Sequence, residues 1–233
     1  MTVPAFVARA LLDAWAVALP TECSGCGAPD LALCAACRSA LSPEPHPCLR
    51  GDAVVWAALD YSGVARRVIG AYKDGGRTDA AGALAAPLRV AVAAALTAAP
   101  PGEDGPGVHL VSVPSSRRAW RIRGYHPVDL LLGRAGLAPT TVLRQAVEAS
   151  DQVGLGRLER GRNKRGSLAA RRPLDGFRCI VVDDIVTTGA TLLEARRAVL
   201  EAGGEVLGLA ALAETRLLHP ARNGSAETAR QKL

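Results

Sequence analysis

Aromatic side chains are scarce in this chain: three Trp, three Tyr and two Phe amount to 3% of its 233 residues. A protein that binds single strands mainly by stacking bases on rings needs more such platforms. Long apolar runs are also missing. No window reaches the ~18 uninterrupted apolar residues of a membrane span. Residues 80–99 come nearest, but Arg89 interrupts an Ala-dominated stretch that reads as a core helix. The N-terminal MTVPAFVARALLDAWAVALP lacks the basic start of an export signal, and Arg9 and Asp13 break its apolar run. Phe6, Ala10, Leu11, Ala14 and Leu19 fall instead near one face of a helix ended before Pro20. These absences predict a cytoplasmic chain with reduced thiols and no membrane insertion.

What is present suits a folded chain. Hydrophobic residues make up 49%, enough for a sizeable core, and that richness excludes disorder over most of the length. Gly and Pro punctuate segments of varying period, which excludes a collagen-like or simple coiled-coil chain. The formal net charge of +6 is unevenly placed. Between Ser115 and Arg172 stand 13 Lys/Arg against four acids (Asp129, Glu148, Asp151 and Glu159), a local balance of +9. The remainder of the chain sums to −3. Basicity this local points to a site.

Four stretches follow from the pattern. Residues 1–20 read as a helix, and 21–47 as a Cys-rich module ending in the turn-forming run SPEPHP, a linker. Residues 52–218 read as alternating strands and helices, and 219–233 as a polar, frayed tail. Within the large stretch, AVVWAALDY, VHLVSV, TVLRQAV, RCIVVDD and EVLGLAALAE read as strands. GVARRVIGAYK, residues 78–98, HPVDLLLGRAG and ATLLEARRAVLEAG read as helices. Residues 149–170 have no apolar period and read as one long loop, functional or mobile. The alternation predicts an α/β fold with a parallel sheet.

Cys23-Ser-Gly-Cys26 and Cys34-Ala-Ala-Cys37 are two CxxC knuckles seven residues apart. Four thiolates turned to one point satisfy a tetrahedral Zn²⁺, and with every ligand position filled by Cys such a site is structural. Gly25 and Gly27 suit the tight turn of a knuckle. The alternatives are buried reduced thiols, or disulfides in an oxidising compartment. Cys48 has no CxxC mate, and it and His46 read as ordinary linker residues.

The sharpest feature is Ile180-Val181-Val182-Asp183-Asp184-Ile185-Val186-Thr187-Thr188-Gly189-Ala190-Thr191. An apolar strand delivers two carboxylates at its carboxyl end, where α/β sheets bind ligands. TTGAT then offers hydroxyls, backbone N–H groups and a flexible Gly at a helix start, a cradle for phosphate. Acids that accept from sugar hydroxyls beside such a cradle suit a phosphorylated ribose. A plain strand end with a helix N-cap also uses Asp and Thr, but the full string is far more specific.

This string resembles the phosphoribosyl-pyrophosphate (PRPP) loop of type I phosphoribosyltransferases. Together with the four-Cys module, YSGVARRVIGAYKDGG, VPSSRRAWRIRGYHPVDLL and DQVGLGRLERGRNKRGSL, it is similar to the ComF (ComFC) family of competence-associated proteins. The likeness runs over roughly residues 8–215 with its motifs in order. It implies a type I phosphoribosyltransferase fold, with Asp183 and Asp184 on the ribose hydroxyls. Thr187, Thr188, Gly189, Ala190 and Thr191 would hold the 5′-phosphate, and Mg²⁺ would accompany PRPP. It also implies a pyrophosphate side built from Arg117, Arg118, Arg121 and Arg123, with Lys73 nearby, since guanidinium forks match phosphate oxygens. Residues 152–167 resemble the loop that closes over PRPP, with Arg160, a catalytic candidate, and Asn163 at the matching positions. Each arginine taken singly is equally well a solvated surface residue.

One departure stands out: relatives carry RGFNQ where this chain has Arg123-Gly124-Tyr125-His126-Pro127. Pro127 removes a donor, and two amide side chains are lost. His126 reads as a capping or surface residue. Two functions remain. The first is a phosphoribosyltransferase of unknown acceptor associated with DNA uptake or recombination. The second is a non-catalytic PRPP- or nucleotide-binding adaptor that contacts DNA and partners implied by the family, a DNA helicase and other competence proteins.

Overall fold

The computed structural model describes residues 21–100, 107–146 and 165–216. The helix expected over 1–20, the tail from 219, Arg160 and Asn163 lie outside them. In chain order the elements are α1 (Ala35–Ser39), β1 (His46–Arg50), β2 (Ala53–Asp60) and α2 (Gly63–Asp74). A 3₁₀ turn at Thr78–Ala80 leads into α3 (Ala81–Thr97). There follow β3 (His109–Ser112), α4 (Arg117–Arg123), α5 (Pro127–Arg134), β4 (Leu143–Gln145) and β5 (Leu168–Ala170). The chain then runs through β6 (Arg178–Val186), α6 (Ala190–Glu201) and β7 (Glu205–Glu214).

Five strands form one sheet in the order β1-β2-β7-β6-β3. Its four inner and far strands pair in parallel, and β1 joins the edge antiparallel to β2. The continuous apolar run of β6 follows from this placement, because both faces of a central parallel strand are covered. Ile180 and Val182 enter one core with α2, α3 and α5, while Cys179 and Val181 enter the other with α6. The helices bury matching stripes: Ala65, Val68, Ile69 and Tyr72 on α2, and Leu192, Ala195 and Val199 on α6. The stretch Thr78–Thr97 is long and apolar enough to cross a membrane. Here it is a core helix packed on β2, β7 and α5.

Three local readings change. SPEPHP is not linker to its end, because His46 and Pro47 already pair with Ala57 and Trp56 in β1. Proline is tolerated there because β1 is an edge strand. The arginine-rich stretch after β3, which apolar period gave no element, is helical: the Ser116 hydroxyl caps α4 by accepting from Ala119 N–H at 3.2 Å, and Gly124 ends it at φ 75°. Finally, the long polar stretch ends in a strand. Leu168 is buried and β5 pairs antiparallel with β4, a partner too far along the chain for local pattern to announce.

Candidate functional site

The carboxyl ends of the parallel strands collect the chemistry. Asp183 and Asp184 stand near the end of β6, and Val113 to Ser116 continue from β3. With residues from α2, α4 and the turn after β6 they line a cleft of about 430 Å³. Its walls include Asp183, Asp184, Lys73, Arg123, Thr187 and Thr191. Six of the residues singled out in the sequence therefore meet in one place, drawn from four separate elements.

Within the cleft the acids are organised. The Asp184 backbone N–H donates to Asp183 Oδ1 at 2.9 Å. Lys73, in the last turn of α2, reaches Asp184 Oδ2 at 2.8 Å, and both side chains are mostly shielded from solvent. Arg123 pairs with the exposed Asp74 at 3.0 Å. The loop from Thr187 turns at Gly189, which adopts φ 80° and opens α6. Ala190 N–H bonds the Thr188 hydroxyl at 3.4 Å. A helix N-terminus thus lies beside the acids, the arrangement an anionic ligand needs.

Other expected members lie elsewhere. Thr188, Gly189 and Ala190 form the turn but are not on the cleft wall. Arg118 and Arg121 are exposed along α4, and the backbone of Arg117 begins that helix. The +9 segment does not converge as a whole, because Arg144 and Arg171 sit at the β4–β5 ladder and Arg171 donates to Leu143 C=O at 3.1 Å. A larger groove of about 580 Å³ runs along α6, but two of its three arginines, Arg196 and Arg197, are already paired. Arg196 pairs with Asp52 at 3.0 Å and Arg197 with Glu194 at 2.7 Å.

The RGYHP corner has its own bonding. Tyr125 donates its hydroxyl to Tyr72 C=O, and Tyr72 donates to Pro127 C=O at 2.7 Å, with the two rings 5.6 Å apart. Burial pushes the Tyr72 hydroxyl well above its usual range, so it stays a donor. Pro127 is the first residue of α5, where a missing N–H costs nothing, and His126 occupies the cap position without a side-chain cap bond.

Sequence reasoning missed the support beneath the loop. Arg50, from β1, donates from Nε to Thr187 C=O at 2.6 Å and from a terminal nitrogen to Glu214 Oε2 at 2.8 Å. His46 Nε2 lies 3.2 Å from the other Glu214 oxygen. Neither His46 nor Cys48 is a linker residue. Cys48 is buried in β1, and burial pushes its thiol up to about 12, as it does for Cys179.

In the N-terminal module the sulfur atoms of Cys23, Cys26, Cys34 and Cys37 lie within 4.8 Å of one another. Cys26 and Cys34 Sγ are 3.7 Å apart. A tetrahedral ion with Zn–S of about 2.3 Å needs sulfurs about 3.8 Å apart, so the set fits a structural metal. The Cys34 N–H, 3.3 Å from Cys23 Sγ, is the main reason the Cys23 thiol is drawn down to about 6, toward the ligating form. Gly25 is required by crowding: a Cβ there would lie 2.5 Å from Cys37 Sγ.

Against known proteins, residues 139–228 match the phosphoribosyl transferase domain family. The DNA utilization protein YhgH of Salmonella typhi is 35% identical over 114 residues, 46% of this chain and 49% of that protein. Orotate phosphoribosyltransferase of Pyrobaculum calidifontis is 35% identical over 99 residues, 38% of this chain and 50% of that protein. The chain therefore spans about half the length of the curated relatives it matches. Among solved structures, an adenine phosphoribosyltransferase aligns with TM-score 0.36 and 14% identity, over 76% of this chain and 89% of its own.

Proposed function

We propose, on the premise that this chain carries a type I phosphoribosyltransferase domain behind a four-Cys module and is consistent with the ComF family, that it binds Mg²⁺–PRPP and transfers its phosphoribosyl group. The observation that carries the proposal is the single cleft on which Asp183, Asp184, Thr187 and Thr191 meet Lys73 and Arg123. In this reading Asp183 and Asp184 accept from the ribose 2′- and 3′-hydroxyls, and the turn at Thr187–Thr191 takes the 5′-phosphate. Lys73 and Arg123 face the pyrophosphate, and Arg117, Arg118 and Arg121 on α4, with Arg160, would add positive charge, while the neutral Asn163 would offer an amide donor.

The reaction breaks the bond between C1′ and the pyrophosphate oxygen and forms one between C1′ and the acceptor. Positive charge grows on the ribose ring, and the two carboxylates stabilise it electrostatically. Bound Mg²⁺ would offset charge on the departing pyrophosphate. Lys73 has a specific task, because it must leave Asp184 when the ribose takes that carboxylate and can then turn to a phosphate oxygen. The four thiols hold Zn²⁺ in a reducing, cytoplasmic setting.

Calorimetry with Mg²⁺–PRPP tests the site. Wild type should bind, and Asp183→Asn/Asp184→Asn should weaken binding at least about 100-fold, from about 1.5–3 kcal/mol per charged hydrogen bond lost. A wild type that does not bind PRPP sinks the proposal. Pyrophosphate release across a panel of bases and amines then separates turnover from binding alone.

A second reading, an adaptor that contacts DNA and a helicase, has one observation of its own. On α4, Trp120 is 48% exposed and Ile122 74%, beside the exposed Arg118 and Arg121. One of the few aromatic rings thus stands in solvent among guanidiniums, a stacking platform with phosphate partners. Affinity for single-stranded DNA should fall with salt, and Arg118→Ala or Arg121→Ala should each reduce the salt slope by roughly one. A salt slope that neither change alters counts against this face.

A further inference from the structure

The antiparallel edge strand β1 lies outside the matched domain residues, yet it reaches under the phosphate loop through one side chain. Arg50 is only 5% exposed. Its donors are spent on three carbonyls and one acid: Nε on Thr187 C=O at 2.6 Å, Nη1 on Leu49 C=O at 3.0 Å, and Nη2 on Glu214 Oε2 at 2.8 Å and Thr215 C=O at 3.1 Å. Thr215 N–H in turn donates to Val186 C=O at 2.9 Å, so the guanidinium fastens the ends of β6 and β7 together where the loop begins. The stem matters as well, because Gly189 crosses it so closely that a Cβ there would lie 2.5 Å from Arg50 Cβ.

We propose that Arg50 is a positioning residue for the 5′-phosphate pocket, an inference that rests on reading Thr187–Thr191 as that pocket. A trans peptide points its C=O and N–H in opposite directions. Holding the Thr187 carbonyl down on Arg50 therefore turns the N–H of Thr188 away from the protein floor, where an anion can accept it. The stem of Arg50 meanwhile sets the height at which Gly189 passes. Glu214 makes the arrangement affordable, since a buried guanidinium needs a paired anion. His46 Nε2 lies 3.2 Å from that acid's other oxygen. A lysine would keep the charge but not the planar fork that reaches Thr187, Glu214 and Thr215 at once.

Calorimetric titration with ribose 5-phosphate, at a temperature where each protein is folded, tests this on the full chain. Arg50→Lys should bind at least about tenfold more weakly than wild type. Glu214→Asp, which keeps the charge and withdraws the carboxylate by one methylene, should bind about threefold more weakly or worse. Leu88→Ala in the opposite core should lower the melting temperature but leave affinity within about twofold, which separates positioning from general destabilisation. Arg50→Lys affinity within twofold of wild type overturns the inference alone. If that variant does not fold, Glu214→Asp decides on the same criterion. A wild type that fails to bind ribose 5-phosphate overturns both the pocket reading and the inference.

Discussion

At Gly189 two constraints meet: a φ of 80°, where L side chains are strained, and a floor formed by the Arg50 stem 2.5 Å from where a Cβ would lie. The left-handed conformation alone costs a non-Gly residue roughly 1–2 kcal/mol, and the close contact adds overpacking on top. Gly189→Ala should therefore lower unfolding free energy by about 2 kcal/mol or more, read as a shift in denaturant midpoint at unchanged slope. An unchanged midpoint would show that the loop has another resting conformation. At this scale legibility divides by distance along the chain. Asp183, Asp184, Thr187 and Thr191 announce themselves because carboxylates, hydroxyls and a glycine stand within nine consecutive residues. Arg50 and Glu214 do not, because their partners lie 137 and 164 residues away.

Among the elements, α6 does two jobs. Its first turn carries the end of the Thr187–Thr191 turn, and its middle holds the β4–β5 ladder through Glu194, which is only 4% exposed. Leu168 N–H donates to Glu194 Oε1 at 2.9 Å, and Arg197 bonds both Glu194 and Leu168 C=O. Burial pushes the Glu194 carboxyl up, but the bonds from Arg197 and Leu168 outweigh it and hold the carboxyl below its usual 4.5. A lowered folded-state value contributes stability above the unfolded value that is lost as pH falls through the folded one. Glu194→Gln should thus be less stable than wild type at pH 7, with the gap closing below about pH 4. Urea midpoints at both pH values test this, and a gap independent of pH would remove the charge from the explanation. Most elements were legible from apolar period. The exceptions include β1, whose first residues read as linker, α4, in which four of seven residues are arginine, and β5, whose partner strand is set by tertiary contact.

Across the whole molecule, the four-Cys module and the α/β sheet domain share a core. Cys23, Leu33, Cys37 and Leu41 belong to the same buried cluster as Val68, Ile69 and Leu84. Arg67 donates to Gly25 C=O, and Arg77 donates to Glu22 C=O at 2.9 Å. Metal loss should therefore be felt beyond the module. Removing the ion with a chelator should lower the melting temperature by about 5 °C or more, at roughly 2–4 °C per kcal/mol for this length. Metal analysis should find about one Zn per chain. An unchanged melting temperature with well under one Zn would leave the four thiols as reduced core residues.

The amino-acid order by itself determined the class of fold, the four-thiol set and the string of two acids followed by TTGAT, because each is written in neighbouring residues whose period or spacing is the physical requirement itself. Charge counting along the chain also located the basic segment, but not its use. Only the tertiary structure decided that Arg123 and Lys73 face the acids while Arg144 and Arg171 sit at the ladder. Only it moved His46 out of the linker and placed Arg50 between Glu214 and the turn that begins at Thr187. Those outcomes depend on which strand ends a parallel sheet brings together, and that pairing is a long-range property no local pattern encodes.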